Sequence, residues 1–261
     1  MKCKLLIVLA VLLFLFGLGV LLYPTIRTAA FRQAEQREIQ HFQEYRAENW
    51  AEGNTPSNVA IDAPEDILHP ENHDKTEPAE GQRAFPELWE ACVAYNAQLV
   101  EKQSTSLTAS GMDSPALVLS DYGWEEDVFA ALSIPSAGIE TPLYLGANRS
   151  NLTKGGVILG QTSLPIGGEN THCVIGGHRT WNAILHPFVS LEEVAVGDLV
   201  QLTNPWETLS YRVIATQTIY PDDLEQVRIQ PERDLLSIFT CTYPNTKRVL
   251  VTCERIYKEG D

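Results

Sequence analysis

Hydrophobic and polar positions fall into distinct regimes along the chain. Leu5 to Tyr23 is an uncharged run of 19 residues, long enough to cross a bilayer as a helix. Lys2 and Lys4 precede it, which favours a cytoplasmic N-terminus; Arg27, Arg32 and Arg37 follow it and pull the other way. A cleaved signal peptide is the competing reading, but its apolar core is usually shorter, and Thr28-Ala29-Ala30 is a weak cleavage match. Arg32 to Trp50 is polar and predicts a helical stalk. Between Glu48 and Glu80 nine acids face one base, Lys75, and Pro56, Pro64, Pro70 and Pro78 punctuate the run. Such a stretch buries too little apolar surface to order itself and reads as a linker. Phe85 to Gln103 is apolar at helical spacing, with Leu88, Ala91, Cys92, Tyr95 and Leu99 on one face and Pro86 in the first turn. Ser104 to Ser120 reads as a loop.

From Ala130 onward the pattern shortens to that of strands. Ala131–Ile134, Pro142–Leu145, Gly155–Leu159, Thr171–Ile175, Asp198–Thr203, Thr208–Tyr220, Leu235–Cys241 and Arg248–Ile256 are the predicted strands, with a helical turn over Ser190–Glu193. About eight short strands with few helices predict a mainly β fold that closes into a barrel. The chain then divides into a cytoplasmic tip and transmembrane anchor (1–24), a helical stalk (25–47), an acidic Pro-rich linker (48–84), a helix and loop (85–124) and a β-barrel (125–261).

The formal net charge of −15 argues against a nucleic-acid partner. Five scattered cysteines imply no disulfide framework, and no Cys or His spacing matches a zinc site, so no cofactor or metal is expected. Cys3 lies at the anchor. Cys92 reads as a small core residue, and Cys173 and Cys253 read as core residues inside strands, with a disulfide between those two left open. His41, His69, His73 and His186 have no evident partners and are expected at the surface.

The candidate chemistry lies in Ile238-Phe239-Thr240-Cys241-Thr242-Tyr243-Pro244-Asn245-Thr246-Lys247-Arg248-Val249-Leu250-Val251, a strand, short loop and strand. A short connection makes the strands antiparallel neighbours and brings Cys241 and Arg248 to the same end of the sheet. A thiol beside a fixed cation ionises more readily, and the thiolate is the nucleophile. Arginine can also hold a carbonyl oxygen that gains charge. This stretch resembles the active-site signature of sortases, the transpeptidases of Gram-positive cell surfaces. Their Thr-Leu-x-Thr-Cys stands here as Ser237-Ile238-Phe239-Thr240-Cys241. The class C, pilus-building type is the most similar. Its Cys is followed by Thr, then Pro and Tyr, then Asn-Thr-His-Arg; here the loop is a little shorter, Tyr243 and Pro244 are swapped, and Lys247 replaces His.

A second stretch, Thr162 to Arg179, resembles the pilus-sortase segment in which Ser-Leu-Pro and Gly-Gly lead through a strand to a catalytic His-Arg. His178 matches the catalytic histidine, His172 the non-catalytic position that opens the strand, and Arg179 reads as structural. The glycines are read as letting the backbone pass tightly under a substrate. Tyr95-Asn96-Ala97-Gln98-Leu99 resembles the helix that precedes the catalytic domain of pilus sortases. Two departures stand out. The acid-Pro-aromatic lid motif of class C is approached only by Asp113-Ser114-Pro115, and the second membrane helix common in class C is not found before Asp261.

The resemblance implies a sortase-type eight-stranded barrel and a covalent mechanism. Cys241 would attack the Thr–Gly carbonyl of an LPxTG-like sorting signal, Arg248 would stabilise the oxyanion, and His178 would serve as acid and base. The acceptor amine would be a pilin lysine or, in the alternative, a peptidoglycan-precursor amine that receives single surface proteins. The implied location is the cell membrane, single-pass, with the catalytic domain extracellular. An L,D-transpeptidase would need a Ser-x-Gly-Cys core, which is absent. A non-catalytic membrane-anchored peptide-binding β-domain is the remaining competitor, and the Cys241, His178 and Arg248 set argues against it.

Overall fold

A computed structural model describes residues 2–49, 83–102, 113–182, 184–244 and 246–257. Most of the acidic linker and the first part of the following loop lie outside the described residues. Helix α1 (Lys2–Glu48) runs unbroken through the apolar segment and beyond it. From Leu6 to Tyr23 every residue is exposed, and the helix is long and apolar enough to cross a membrane.

The C-terminal half of α1 packs on the β-structure instead of standing away from it. Phe31, Glu35, Ile39, Phe42, Tyr45 and Arg46 recur every three or four residues and form the docked stripe. Phe42, Tyr45 and Phe85 surround Trp124, with ring centroids 5.9, 5.0 and 5.1 Å away. Arg46 Nε donates to Pro205 O at 3.1 Å. Most of this stripe is polar or aromatic, so the segment reads as a free stalk until its covering partner is known.

Helix α2 (Pro86–Lys102) buries Leu88, Cys92, Asn96 and Leu99. Asn96 takes a place on the apolar face because its side chain accepts from Leu164 N at 2.7 Å and donates to Leu164 O at 3.1 Å. A buried amide satisfied at both ends costs little and fixes one register.

The strands are β1 (Val128–Ile134), β2 (Ile139–Leu145), β3 (Gly156–Ile158), β4 (Thr171–Gly176), β5 (Thr180–Trp181), β6 (Ile184–Leu185), β7 (Leu199–Thr203), β8 (Thr208–Ile219), β9 (Asp234–Cys241) and β10 (Arg248–Arg255). Eight of them close a barrel in the order β1-β2-β3-β4-β9-β10-β8-β7, with β7 pairing back onto β1. The predicted strands correspond to these eight; the two-residue hairpin of β5 and β6 was not foreseen, being too short for periodicity to register.

Alternation sorts the barrel's faces. Cys173, Ile175, Leu236, Ile238, Val249, Val251 and Cys253 belong to the main core. Val174, Phe239 and Leu250 point the other way, into a second cluster covered by Leu224 and Val227. Cys173 and Cys253 both pair with Leu236, from opposite sides of β9. Two strand spacings, roughly 10 Å, separate them, beyond disulfide reach. Both are free and buried, as is Cys92.

Candidate active site

Strand register brings the chemistry together. Cys241 is the last residue of β9 and Arg248 the first of β10, and the two are direct cross-strand partners. Both have the parity of Phe239 and Leu250, so they leave the barrel on the outer face, above the second cluster. The connection between them is closed by Thr242 N donating to Lys247 O at 3.0 Å and Lys247 N to Thr242 Oγ1 at 3.2 Å.

His178 arrives from across the sheet. β4 runs parallel to β9 with Gly176 abreast of Phe239, and the chain direction beyond Gly176 carries His178 towards the Cys241 end of β9. Gly177 N donates to Phe239 O at 3.2 Å, and Thr240 Oγ1 donates to Gly177 O at 2.9 Å. Thr240 is fully buried, so the Thr-Cys pair has a structural meaning: one residue clamps the histidine segment while its neighbour presents the thiol. A Cβ on Gly177 would lie 2.2 Å from the Phe188 ring, and one on Gly176 2.8 Å from the Phe239 ring. These glycines are required by the protein's own aromatic rings, where the sequence suggested passage under a substrate.

Cys241, His178 and Arg248 are each partly exposed. Burial lowers the His178 pKa below the ordinary value of 6.5, which favours the neutral imidazole that can accept a proton. Arg248 Nη1 donates to Lys247 O at 3.1 Å. The same arginine borders an apolar groove walled by Ile219, Tyr220, Leu224, Val227, Phe239 and Leu250. Leu224 and Val227 come from the β8–β9 connection, where their spacing of three among Asp222, Asp223, Glu225 and Gln226 was a faint sequence trace of a groove wall.

Other histidines take different places. His172 is fully buried; its Nδ1–H donates to Arg228 O at 2.8 Å, and its Nε2 accepts from Ser237 Oγ at 2.8 Å. His186 is not at the surface as expected. It is 1% exposed, with the Phe31 ring packed 4.3 Å from its own and the Pro187–Glu193 turn following directly. His41 is exposed and pairs with Glu126 at 3.0 Å, so it has the partner the sequence did not reveal. His69 and His73 lie outside the described residues. Arg179 forms an ion pair with Glu192.

The lid region is described only from Asp113. There the Asp113–Pro115 backbone presses on Gly146, just past β2. β2 runs parallel to β3 and opposite to β4, so this end of β2 points away from His178. Trp124 is 1% exposed and donates to Val128 O, which commits it to the core. Among the described residues no group of three or more His, Cys, Asp or Glu side chains is placed to hold a metal ion.

Comparison with known proteins accords with the barrel fold. The Sortase domain family model matches residues 132–256. The structure is similar to Streptococcus pneumoniae Sortase C, with a TM-score of 0.56 and 31% identity over 70% of this chain and 91% of that one. It is also similar to Streptococcus agalactiae sortase C1, with a TM-score of 0.58 and 28% identity over 70% of this chain and 94% of that one. By sequence it is 25% identical to Sortase A of Streptococcus agalactiae over 51% of this chain and 55% of that protein, so it spans about half the length of that curated relative. With the closed barrel, the family match and the relative at 31% identity, the chain belongs to the sortase family, whose members are cysteine transpeptidases.

Proposed function

We propose that this protein is a sortase that cleaves an LPxTG-like sorting signal at Thr–Gly and transfers the acyl part to an amine. The observation that carries the reading is the direct pairing of Cys241 with Arg248, with the His178 segment clamped alongside by Thr240. The Cys241 thiol gives its proton to His178, and the thiolate attacks the threonine carbonyl carbon. Arg248 holds the oxyanion that forms. The C–N bond then breaks, and the His178 imidazolium hands its proton to the departing glycine amine. The acceptor amine attacks the thioester, loses a proton to His178, and Cys241 leaves as thiolate. The apolar groove beside Arg248 suits the Leu-Pro part of the signal.

A pilin lysine is the acceptor that the neighbours support. The Streptococcus pneumoniae Sortase C structure bears on pilin substrate specificity, and a further similar structure is a pilus-related Sortase C of Group B Streptococcus. Attachment of single surface proteins to a peptidoglycan precursor is the second reading, kept because the sequence also resembles relatives named Sortase A and Sortase D. The N-terminal apolar helix supports membrane anchoring, and membership of the sortase family supports placing the barrel outside the cell.

Turnover of an LPxTG-type peptide tests the chemistry. Cys241→Ala should abolish it, His178→Ala should lower it at least a thousandfold, and Arg248→Ala should cost roughly a hundredfold or more. Full turnover in Cys241→Ala, with Cys173 or Cys253 labelled instead, would sink the assignment. Product analysis separates the acceptors: covalent polymer ladders for a pilin lysine, single wall-linked species for the precursor.

A further inference from the structure

The ring of His178 has a neighbour that the mechanism above does not use. His186 lies edge-on to it, with centroids 5.9 Å apart and planes at 80°. His186 is almost wholly buried, and its backbone N–H donates to Arg179 O at 3.1 Å, which ties its main chain across the small β5–β6 hairpin to the residue after His178. Phe31 of α1 also packs on it, 4.3 Å between centroids. The helix is pinned there from both directions. Thr28 Oγ1 accepts from Leu185 N at 3.3 Å, and Glu35 accepts from Thr141 Oγ1 at 2.7 Å. Phe31, His186 and His178 therefore form a continuous row of rings from the helix to the candidate acid–base.

We propose that His186 is a positioning residue for His178, and that α1, through Phe31, holds it in place. This rests on the reading of His178 as acid and base. A half-buried imidazole that must alternate between accepting and donating at one atom needs its ring plane fixed, and an edge-to-face neighbour restricts that plane. His186 does this without charge: burial first, and the nearby His178 second, push it down to about 4, so it is neutral over the working range. A neutral neighbour does not oppose the imidazolium that His178 becomes during turnover. Among the described residues, Cys241 and Arg248 stand at the neighbouring strand ends, Arg179 next to His178 pairs with Glu192, and Arg32, Glu35 and Glu140 line the pocket beside Pro187. The helix that carries the apolar N-terminal segment thus becomes part of the apparatus that sets the active histidine.

The test uses the full chain in detergent micelles or bilayers, with an LPxTG-type peptide as substrate. His186→Ala is expected to lower kcat ten- to a hundredfold with KM changed less than threefold. It should also move the pH limb belonging to His178 upward, as water reaches the ring and the effect of burial relaxes. Phe31→Ala, at a distance from the chemistry, should shift both in the same direction and by less. His186→Phe keeps a flat ring and should recover most of the loss. Unchanged kcat and pH limb in both alanine variants, even with a lowered Tm, would make His186 a mere filler of the core and overturn the proposal. A His186→Phe chain as slow as His186→Ala would overturn the packing account as well. Failure of the underlying reading looks different: His178→Ala itself would then turn over normally.

Discussion

At the scale of single residues, small groups decide where the reactive ones stand. Gly177 precedes His178 and has no room for a side chain, since its Cβ would meet the Phe188 ring at 2.2 Å. Gly177→Ala should push the histidine segment off β9 and lower kcat at least tenfold. The double variant with Phe188→Leu should regain part of that loss in the same peptide assay, because the smaller side chain opens the space. His172 carries a different cost. Burial above all lowers its pKa to about 4 against 6.5 when unfolded. A depressed histidine contributes its stability in full above about pH 6.5 and loses it as pH falls towards 4, by roughly 3 kcal/mol. Denaturant titrations across that window should show the loss. In His172→Asn, which is less stable at pH 7, the same titrations should give a flatter profile.

At the scale of elements, the docking of α1 is the feature with the most consequences. Glu35 is 2% exposed, and burial raises its carboxyl to about 8, partly offset by the Thr141 hydrogen bond and by Arg32. The docked helix therefore holds a proton that an undocked one releases above about pH 4.5. A raised carboxyl stabilises docking fully below that value and loses the contribution as pH rises through about 8. Amide exchange over residues 28–46 should quicken between pH 6 and pH 9 after correction for the intrinsic rate. In Glu35→Gln, which keeps an acceptor for Thr141, the corrected exchange should be the same at both. A wild-type helix equally protected at both pH values would show that Glu35 does not govern docking.

At the scale of the whole molecule, the chain leaves and re-enters the fold at one place. Tyr45, four residues before Asn49, lies 6.1 Å ring to ring from Phe85, and Ala84 O accepts from Trp206 Nε1 at 2.6 Å. The two flanks of the acidic stretch thus meet around Trp124 without needing the length between them. Replacing residues 52–80 by a six-residue Gly-Ser linker should change Tm by no more than a few degrees and leave peptide turnover intact, since loop length enters stability only logarithmically. A fall of ten degrees or more would show that the acidic stretch contributes packing of its own.

What the sequence determined by itself is everything carried by local pattern. A 19-residue uncharged run predicts an apolar helix, and the short apolar runs from Ala131 to Ile256 predicted the eight strands that close the barrel. Cys241 and Arg248 were legible as neighbours because a short loop forces adjacent strands to pair end to end. His178 was legible through the motif it resembles, yet its place beside Cys241 depends on β4 pairing with β9 across some sixty residues, which no local pattern encodes. Only the tertiary structure decided which polar residues were to be covered. Asn96, Glu35 and His186 look like surface residues until a partner backbone, a threonine or a phenylalanine from a distant element closes over them. The physical reason is that periodicity reports which face of an element is apolar, whereas burial of a polar group depends on a partner whose position is set by the closed barrel and the helix packed on it.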